Sequence, residues 1–245
     1  MADESVSLQF VDLLYAVPVA DLAVRVSATH FHHVTASGWT DLAVQMTAIT
    51  LGWVGHHSNR NRLPAPLLKA RNGERQFLTA RFWQFVVEVL IIAAYFALGT
   101  RSYLPSGAGI GHPSEEWKAV WLLITFGLYL TWDVLDIYIT KRALGRRPSS
   151  EDRFALRDWL GLDRRRCAVT SAFLVLIFVV LWLEWARNFH PSSPHASAVV
   201  FDLVAIVILY LYRAVHELAL SGDLERVAKR AQSRLRSLGA GRAEG

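Results

Sequence analysis

Long apolar stretches recur along this chain, separated by shorter polar connections. Six segments are rich in Leu, Val, Ile and aromatic residues, at roughly 8–28, 39–57, 82–100, 117–140, 168–187 and 197–216. A helix needs about 20 mainly apolar residues to cross the hydrocarbon core of a bilayer. The pattern therefore predicts an all-α, polytopic membrane protein with six transmembrane helices.

The six segments differ in polarity. The third, fifth and sixth, which contain FVVEVLIIAAYFALG, AFLVLIFVVLWLEW and VVFDLVAIVILYLY, have few polar residues, whereas the first two have several. Polar groups facing lipid tails have no hydrogen-bond partners. We therefore expect the first two helices to lie inside the helical bundle.

Basic residues are concentrated in alternate connections. The connections after the second and fourth segments are strongly basic, whereas 29–38 contains no Lys or Arg, and Arg101 and Arg187 stand alone in the connections after the third and fifth. Short loops rich in Lys and Arg remain in the cytoplasm. This alternation predicts that both termini are cytoplasmic. Arg outnumbers Lys 22 to 4 and Ala is frequent, which indicates a bacterial genome, so we predict that the protein lies in the cell inner membrane.

Composition excludes several classes of function. The chain has 245 residues, is 53% hydrophobic and carries a net charge of +5. Because this charge lies in loops next to the predicted membrane, it indicates contact with anionic lipids and not with nucleic acid. The single cysteine, Cys167, excludes an internal disulfide. No phosphate loop, HExxH or GxSxG motif is present, so we predict no enzyme activity, no cofactor and no metal.

Two polar pieces accompany the predicted membrane helices. The stretch PSSEDRFALRDWLGLDRRR predicts a short interfacial helix that begins with Ser149 or Ser150 as its N-cap. Residues 1–217 form the predicted six-helix domain, and 218–245 form a basic tail with apolar residues at helical spacing. The tail could lie on anionic lipid, pair with a neighbour or remain solvated.

The first segment contains FVDLLYAVPVAD, in which two carboxylates, Asp12 and Asp21, accompany Pro18. An ionised Asp at the bilayer centre costs about 2.5–3.5 kcal/mol, so these groups need partners or water. Asp12 could instead be stabilised near the positive end of the helix. Asp21 and Arg25 are four residues apart, the spacing at which an acid and a base meet on one helix face.

Histidines and a carboxylate mark the next two segments. His56 and His57 follow one another, so on a helix they point about 100° apart and cannot chelate one metal together. A hydrogen bond to an acid of an adjacent helix is favoured, with Asp12 as the candidate. Glu88 lies in the middle of the third segment and could serve ion passage or a buried hydrogen-bond network.

The remaining acids of the predicted spans lie closer to helix ends. Asp133 and Asp136 precede Lys141 and Arg142, which we expect to neutralise them. Asp202 lies near the outer end of the sixth segment, where we expect it to reach water. The outer loop also contains His30, His32 and His33, but without a neighbouring carboxylate an ordinary loop is favoured over a metal site.

Two short motifs resemble a known family, the bacterial six-helix branch of the transmembrane protein 175 (endosomal/lysosomal-type) potassium channel family. That family's first helix begins Phe-Ser-Asp, two apolar residues, Phe-Ala-Ile, and its second helix often ends with an aromatic residue shortly before His-His. Val11 replaces the Ser of that pattern here. The residues that carry the resemblance are Phe10, Asp12, Tyr15, Ala16 and Val17, then Trp53, His56 and His57.

The resemblance implies a cation channel, with potassium as the candidate ion, formed by a homo-oligomer that is a tetramer in the bacterial branch. The first helix would line the pore, with Leu14, Val17 and Asp21 facing it and Val17 at the apolar constriction. The motif residues would form a network behind the pore. A second family, the low-temperature-requirement A type, also begins with a Phe-Asp-Leu-Val-Phe run and remains a competitor.

These patterns lead to one prediction and two alternatives. We predict a channel for monovalent cations in which Val17 forms the constriction and Asp12 or Asp21 concentrates cations. A proton-coupled secondary transporter is the first alternative, with Glu88 and the Asp residues taking up and releasing protons. A non-conducting scaffold that acts through the basic tail is the second.

Overall fold

The structure is a computed structural model that describes residues 13–24, 36–61, 79–99, 115–146, 148–188 and 194–221. Within these ranges the chain forms six helices and no strand, which confirms the all-α prediction. We number the helices α1 (Leu13–Val24), α2 (Ala36–Asn61), α3 (Ala80–Gly99), α4 (Glu115–Gly145), α5 (Ser150–Asn188) and α6 (Pro194–Ser221).

Three of the described helices are long and apolar enough to cross a membrane. They are Trp117–Gly145 in α4, Ser150–Leu183 in α5 and Val199–Ala219 in α6. Leu13–Val24 and Phe82–Leu98 are apolar but shorter. The membrane character of the chain is therefore supported, whereas the six-span topology and the position of the termini stay predictions.

Side-chain contacts define the direction in which the helices run. Lys118, near the start of α4, contacts Asp41 of α2 and Asp202 of α6, so the N-terminal parts of these three helices lie together. At the other end of the bundle, Arg166 in the first half of α5 contacts Asp133 in the second half of α4. Helices α2, α4 and α6 thus run in one direction and α5 runs in the other.

The apolar core lies between these two ends. It contains Ala48 of α2, Tyr95 of α3, Phe126 of α4 and Leu209 of α6, all nearly or fully buried. Helix α2 approaches α3 closely at Gly52, where an added Cβ would lie 2.7 Å from two ring carbons of Tyr95. A side chain at position 52 would therefore separate the two helices or displace the tyrosine.

Helix α5 corrects the prediction of a separate interfacial helix. Ser149 is the N-cap, as predicted, because its Oγ accepts a hydrogen bond of 3.2 Å from the Asp152 backbone N–H. The helix then continues for 39 residues, through the basic run and into the fifth apolar segment. A helix can pass through this run because Arg164 and Arg165 are exposed while Arg166 turns inward to acidic partners.

Candidate functional site

A buried guanidinium surrounded by three carboxylates lies between α4, α5 and α6. The Arg166 side chain is 2% exposed, and its nitrogens lie 3.3 Å from Asp133, 3.4 Å from Asp136 and 3.3 Å from Asp163. Its Nε also donates a hydrogen bond of 3.2 Å to Nε2 of His216. We call Arg166 and its three aspartates the Arg166 cluster.

Each carboxylate of the Arg166 cluster also accepts a hydrogen bond from a neutral side chain. The hydroxyl of Thr170 donates to Asp133 at 2.6 Å, the amide of Gln84 to Asp136 at 2.7 Å, and the hydroxyl of Thr140 to Asp163 at 3.0 Å. These bonds hold the three acids in place, but they do not neutralise them. Because one guanidinium faces three acids, a fully ionised cluster would carry two uncompensated negative charges in a buried place. Protons or a bound cation can compensate that excess.

A partly open cavity borders the Arg166 cluster. Its empty volume is about 710 Å³, and residues from all six helices line it. The lining includes Arg166 with its contacts Asp133 and Trp132, and His56 with its contact Glu88. It also includes Arg213, Tyr15, Tyr129 and Tyr212. A mainly apolar space with a few converging polar groups is typical of a small-molecule site.

His56 and Glu88 form a second protonatable group in the same cavity. Nδ1 of His56 lies 3.1 Å from Oε1 of Glu88, and the two side chains are 10% and 20% exposed. Nε2 of His56 is buried and has no hydrogen-bond partner among the described residues. With Nδ1–H donating to the carboxylate, Nε2 is the nitrogen that can accept a proton.

The predicted network around the histidines is only partly assembled in the described ranges. Tyr15 lines the cavity, and its ring centroid lies 6.4 Å from that of His56. His57 turns away, because its Nδ1 lies 3.1 Å from the carbonyl oxygen of Trp53 and its ring packs on the indole. Phe10 and Asp12, including the predicted contact between Asp12 and a histidine, lie outside the described residues. Among the described residues, Glu88 of α3 is the acid that contacts His56.

The predicted pore residues lie close together around α1, at spacings of three and four residues, but they differ in burial. Val17 is 54% exposed and points away from the cavity side of the helix, where Tyr15 and Pro18 are buried. Leu14 is half-buried against the core, and Asp21 is also half-buried. In a single protomer, therefore, α1 contributes Tyr15 to the cavity and leaves Val17 on its outer surface.

A second group of buried charges lies at the other end of the bundle. Nζ of Lys118 contacts Asp41 and lies 2.8 Å from Asp202, which also accepts a hydrogen bond of 2.6 Å from Thr40. We call Lys118, Asp41 and Asp202 the Lys118 cluster. Asp202 is fully buried, so the expectation that it reaches water was wrong.

The expected neutralisation of Asp133 and Asp136 by their neighbours in sequence was also wrong. Lys141 and Arg142 are exposed, whereas Arg166 of another helix binds both acids. The flexible chains of surface cations extend to water, where hydration of the charge costs nothing. A planar guanidinium with five donors can serve several carboxylates at once.

Arg166 and Lys118 were not identified from the sequence as site residues. The sequence contains a signal for Arg166, because it continues the spacing of three and four residues that begins with the apolar Leu156 and Trp159. In the structure the positions at this spacing are buried, namely Leu156, Trp159, Asp163, Arg166 and Thr170. This spacing places Arg166 on the inward face of the helix.

Comparison of the chain with models of protein families, with curated proteins and with solved structures finds no match in any of the three. The likeness to potassium channels therefore rests on the two short motifs in the first 60 residues. Within the described ranges, no group of three or more His, Cys, Asp or Glu side chains is arranged to hold a metal ion.

Proposed function

We propose that this protein is a proton-coupled membrane transporter whose substrate site is the cavity inside each protomer. The observation that carries the proposal is that two protonatable groups, the His56–Glu88 pair and the Arg166 cluster, border one cavity. Transport coupled to protons requires such groups at the substrate site, because substrate affinity must depend on their protonation state.

The position of the cavity fits a transporter that is open toward the cytoplasm. The cavity is lined by the C-terminal parts of α2, α4 and α6, the end where the basic connections predict the cytoplasm. Beyond it along α4, Phe126 is fully buried against the core, and Lys118 with its two aspartates follows. A packed apolar layer and a buried ion-pair cluster would close the opposite side.

The coupling step follows from the chemistry of the pair. When Nε2 of His56 accepts a proton, the imidazolium is stabilised by Glu88 at 3.1 Å, and the charge of the cavity rises by one unit. A substrate that prefers either charge state shifts this equilibrium, and the proton in turn shifts substrate affinity. Asp133, which lines the same cavity, adds a second site for proton uptake.

Reconstituted protein tests this proposal directly. Proteoliposomes with an entrapped pH-sensitive dye would be challenged with a panel of amines, carboxylic acids and neutral solutes. We expect solute-dependent proton movement that Glu88→Gln reduces roughly tenfold or more, since the variant loses the charge that stabilises the imidazolium. Asp158→Asn, which removes an exposed carboxylate on α5, is the matched control and should retain the wild-type rate.

The cation channel is the second candidate, and the outer face of α1 favours it. Leu13, Val17 and Val24 are 63%, 54% and 65% exposed and form a continuous apolar stripe. Such a stripe could line a shared pore in a homo-oligomer, and Val17 is the residue that it shares with the pore face implied by the resemblance. Planar-bilayer recording separates the candidates, because potassium currents that persist without a pH gradient and survive Glu88→Gln would contradict the transporter and support the channel.

A further inference from the structure

We infer that the cavity binds a small organic cation with an apolar body, an alkyl- or arylammonium ion, in exchange for protons. This inference rests on the proposed transport function and deepens it by naming the substrate class. Three features of the cavity support it: its balance of charge, its aromatic walls and the buried nitrogen of His56.

The balance of charge around the cavity is negative. Arg166 and Arg213 are the only Lys or Arg side chains that line it among the described residues, and both are already engaged with carboxylates. Arg213 contacts Glu217 four residues along α6, and Arg166 contacts three aspartates. Asp133 and Glu88 line the cavity itself, whereas Asp136, Asp163 and Glu217 contact its two guanidinium groups from outside the lining. With all five acids ionised, the carboxylates outnumber the guanidinium groups. An anionic substrate would increase this excess, whereas a cation would relieve it.

The aromatic walls suit a cation with an apolar body. Tyr15, Tyr129, Tyr212 and Trp132 line the cavity. The rings of Tyr129 and Tyr212 stack on each other with centroids 5.5 Å apart, so the two faces that meet are not open to a ligand. The guanidinium of Arg166 already lies 5.2 Å from the centroid of the Trp132 ring, a cation–π contact. Aromatic faces carry partial negative charge, so they attract cations while their area packs against hydrocarbon.

His56 makes binding of the cation depend on binding of a proton. Its ring lines the cavity, and its Nε2 has no hydrogen-bond partner within the described ranges, so a neutral ring turned toward the cavity can accept a bond from an ammonium N–H there. A protonated ring cannot accept that bond, and it repels the cation. Proton and substrate therefore compete for one site.

The charged and titratable groups around His56 determine how its protonation depends on the surroundings. Glu88 of α3 contacts it, Tyr15 of α1 and His57 of α2 are in ring contact with it, and Arg213 of α6 lines the same cavity. Asp133, Arg166 and His216 also line this cavity.

Calorimetry on the full-length protein in lipid nanodiscs tests the inference with phenethylammonium as the probe. The size-matched anion 3-phenylpropanoate and the neutral 2-phenylethanol are the controls. We expect the cation alone to bind, to release protons in weak buffer, and to bind more tightly as pH rises from about 6 to about 8, because deprotonation makes the cavity more negative. Equal affinity for the anion or the alcohol, or binding without proton release, would overturn the inference.

Variants separate a binding role from a structural role. Asp133→Asn and Glu88→Gln preserve shape and should weaken phenethylammonium binding by roughly ten- to a hundredfold, whereas the exposed Asp158→Asn should not change it. His56→Gln should bind the cation with a much smaller dependence on pH and with less proton release, an effect that a merely structural role would not produce. Unchanged proton release in His56→Gln would contradict the exchange.

The two proposals fail in different ways. If solute-dependent proton movement occurs with neutral or anionic solutes only, the organic-cation inference is wrong and the transporter stands. If phenethylammonium binds with proton release but no solute is carried across proteoliposomes, the site stands and the transport function is wrong.

Discussion

The Arg166 cluster and the Lys118 cluster both bury a cation against more than one carboxylate, but their surroundings differ. They lie 15 residues apart on α4, from Lys118 to Asp133, which corresponds to about 22 Å along the helix. The Arg166 cluster borders a cavity of about 710 Å³ and contacts a histidine. Lys118 and its acids do not line that cavity.

The neighbourhood of the Lys118 cluster is apolar. A smaller cavity of about 250 Å³ begins at Ala119 and Phe201, and all of its lining side chains are apolar. The cluster joins the N-terminal parts of α2, α4 and α6. A cation near the start of a helix is disfavoured by the helix dipole, so Lys118 depends on its two aspartates. Both clusters bury charge, but only the Arg166 cluster borders the large cavity. The Arg166 cluster can therefore contact a ligand, whereas the Lys118 cluster stabilises the packing of the helices.

The largest effect is expected from removal of the guanidinium. Arg166→Met would leave three buried carboxylates without a cation, and we expect a loss of about 3–5 kcal/mol in the free energy of unfolding at neutral pH. The loss should shrink in acid, because protonated carboxylates need no cation. Thermal unfolding in detergent measures both, with the exposed Arg164→Met as the control. Equal melting temperatures for the two variants would contradict the role of Arg166.

A somewhat smaller loss of stability is expected when the Lys118 cluster loses its cation. Lys118→Met leaves two buried carboxylates, and we expect a loss of about 3 kcal/mol. The variant that remains folded should bind phenethylammonium with wild-type affinity, since the cluster lies about 22 Å away along α4. Calorimetry on the folded fraction of the variant measures this affinity for comparison with the wild type. A weakened affinity would remove the distinction between the two clusters.

The smallest effect concerns packing beside the cavity. Gly52→Ala would bring a Cβ to 2.7 Å from the Tyr95 ring, and we expect a loss of about 1–3 kcal/mol. Gly127→Ala meets no atom within 4 Å and should be neutral or stabilise by up to about 1 kcal/mol. Chemical denaturation of both variants measures the difference. Equal stabilities would mean that α2 and α3 are not closely packed at the cavity.

Some features of the site were accessible from sequence and others were not. The N-cap at Ser149 was predictable, because the signal lies within four residues. His56 was expected to meet an acid of another helix, and it contacts Glu88 of α3, whereas the candidate chosen from the sequence, Asp12, lies outside the described residues. Spacing along one helix says which residues share a face. It does not say which face of a neighbouring helix will lie opposite.

The amino-acid sequence by itself determined that this chain is helical and apolar enough for a membrane, because helix formation and hydrophobic period depend on residues within a few turns. Only the tertiary structure decided that Arg166 binds acids up to 33 residues away along the chain, and that His56, Glu88 and Asp133 share one cavity. The sequence pattern alone allowed several different pairings between these acidic and basic side chains. Close packing of the helices selected one of them, because a buried charge is stable only where its partners are within contact distance.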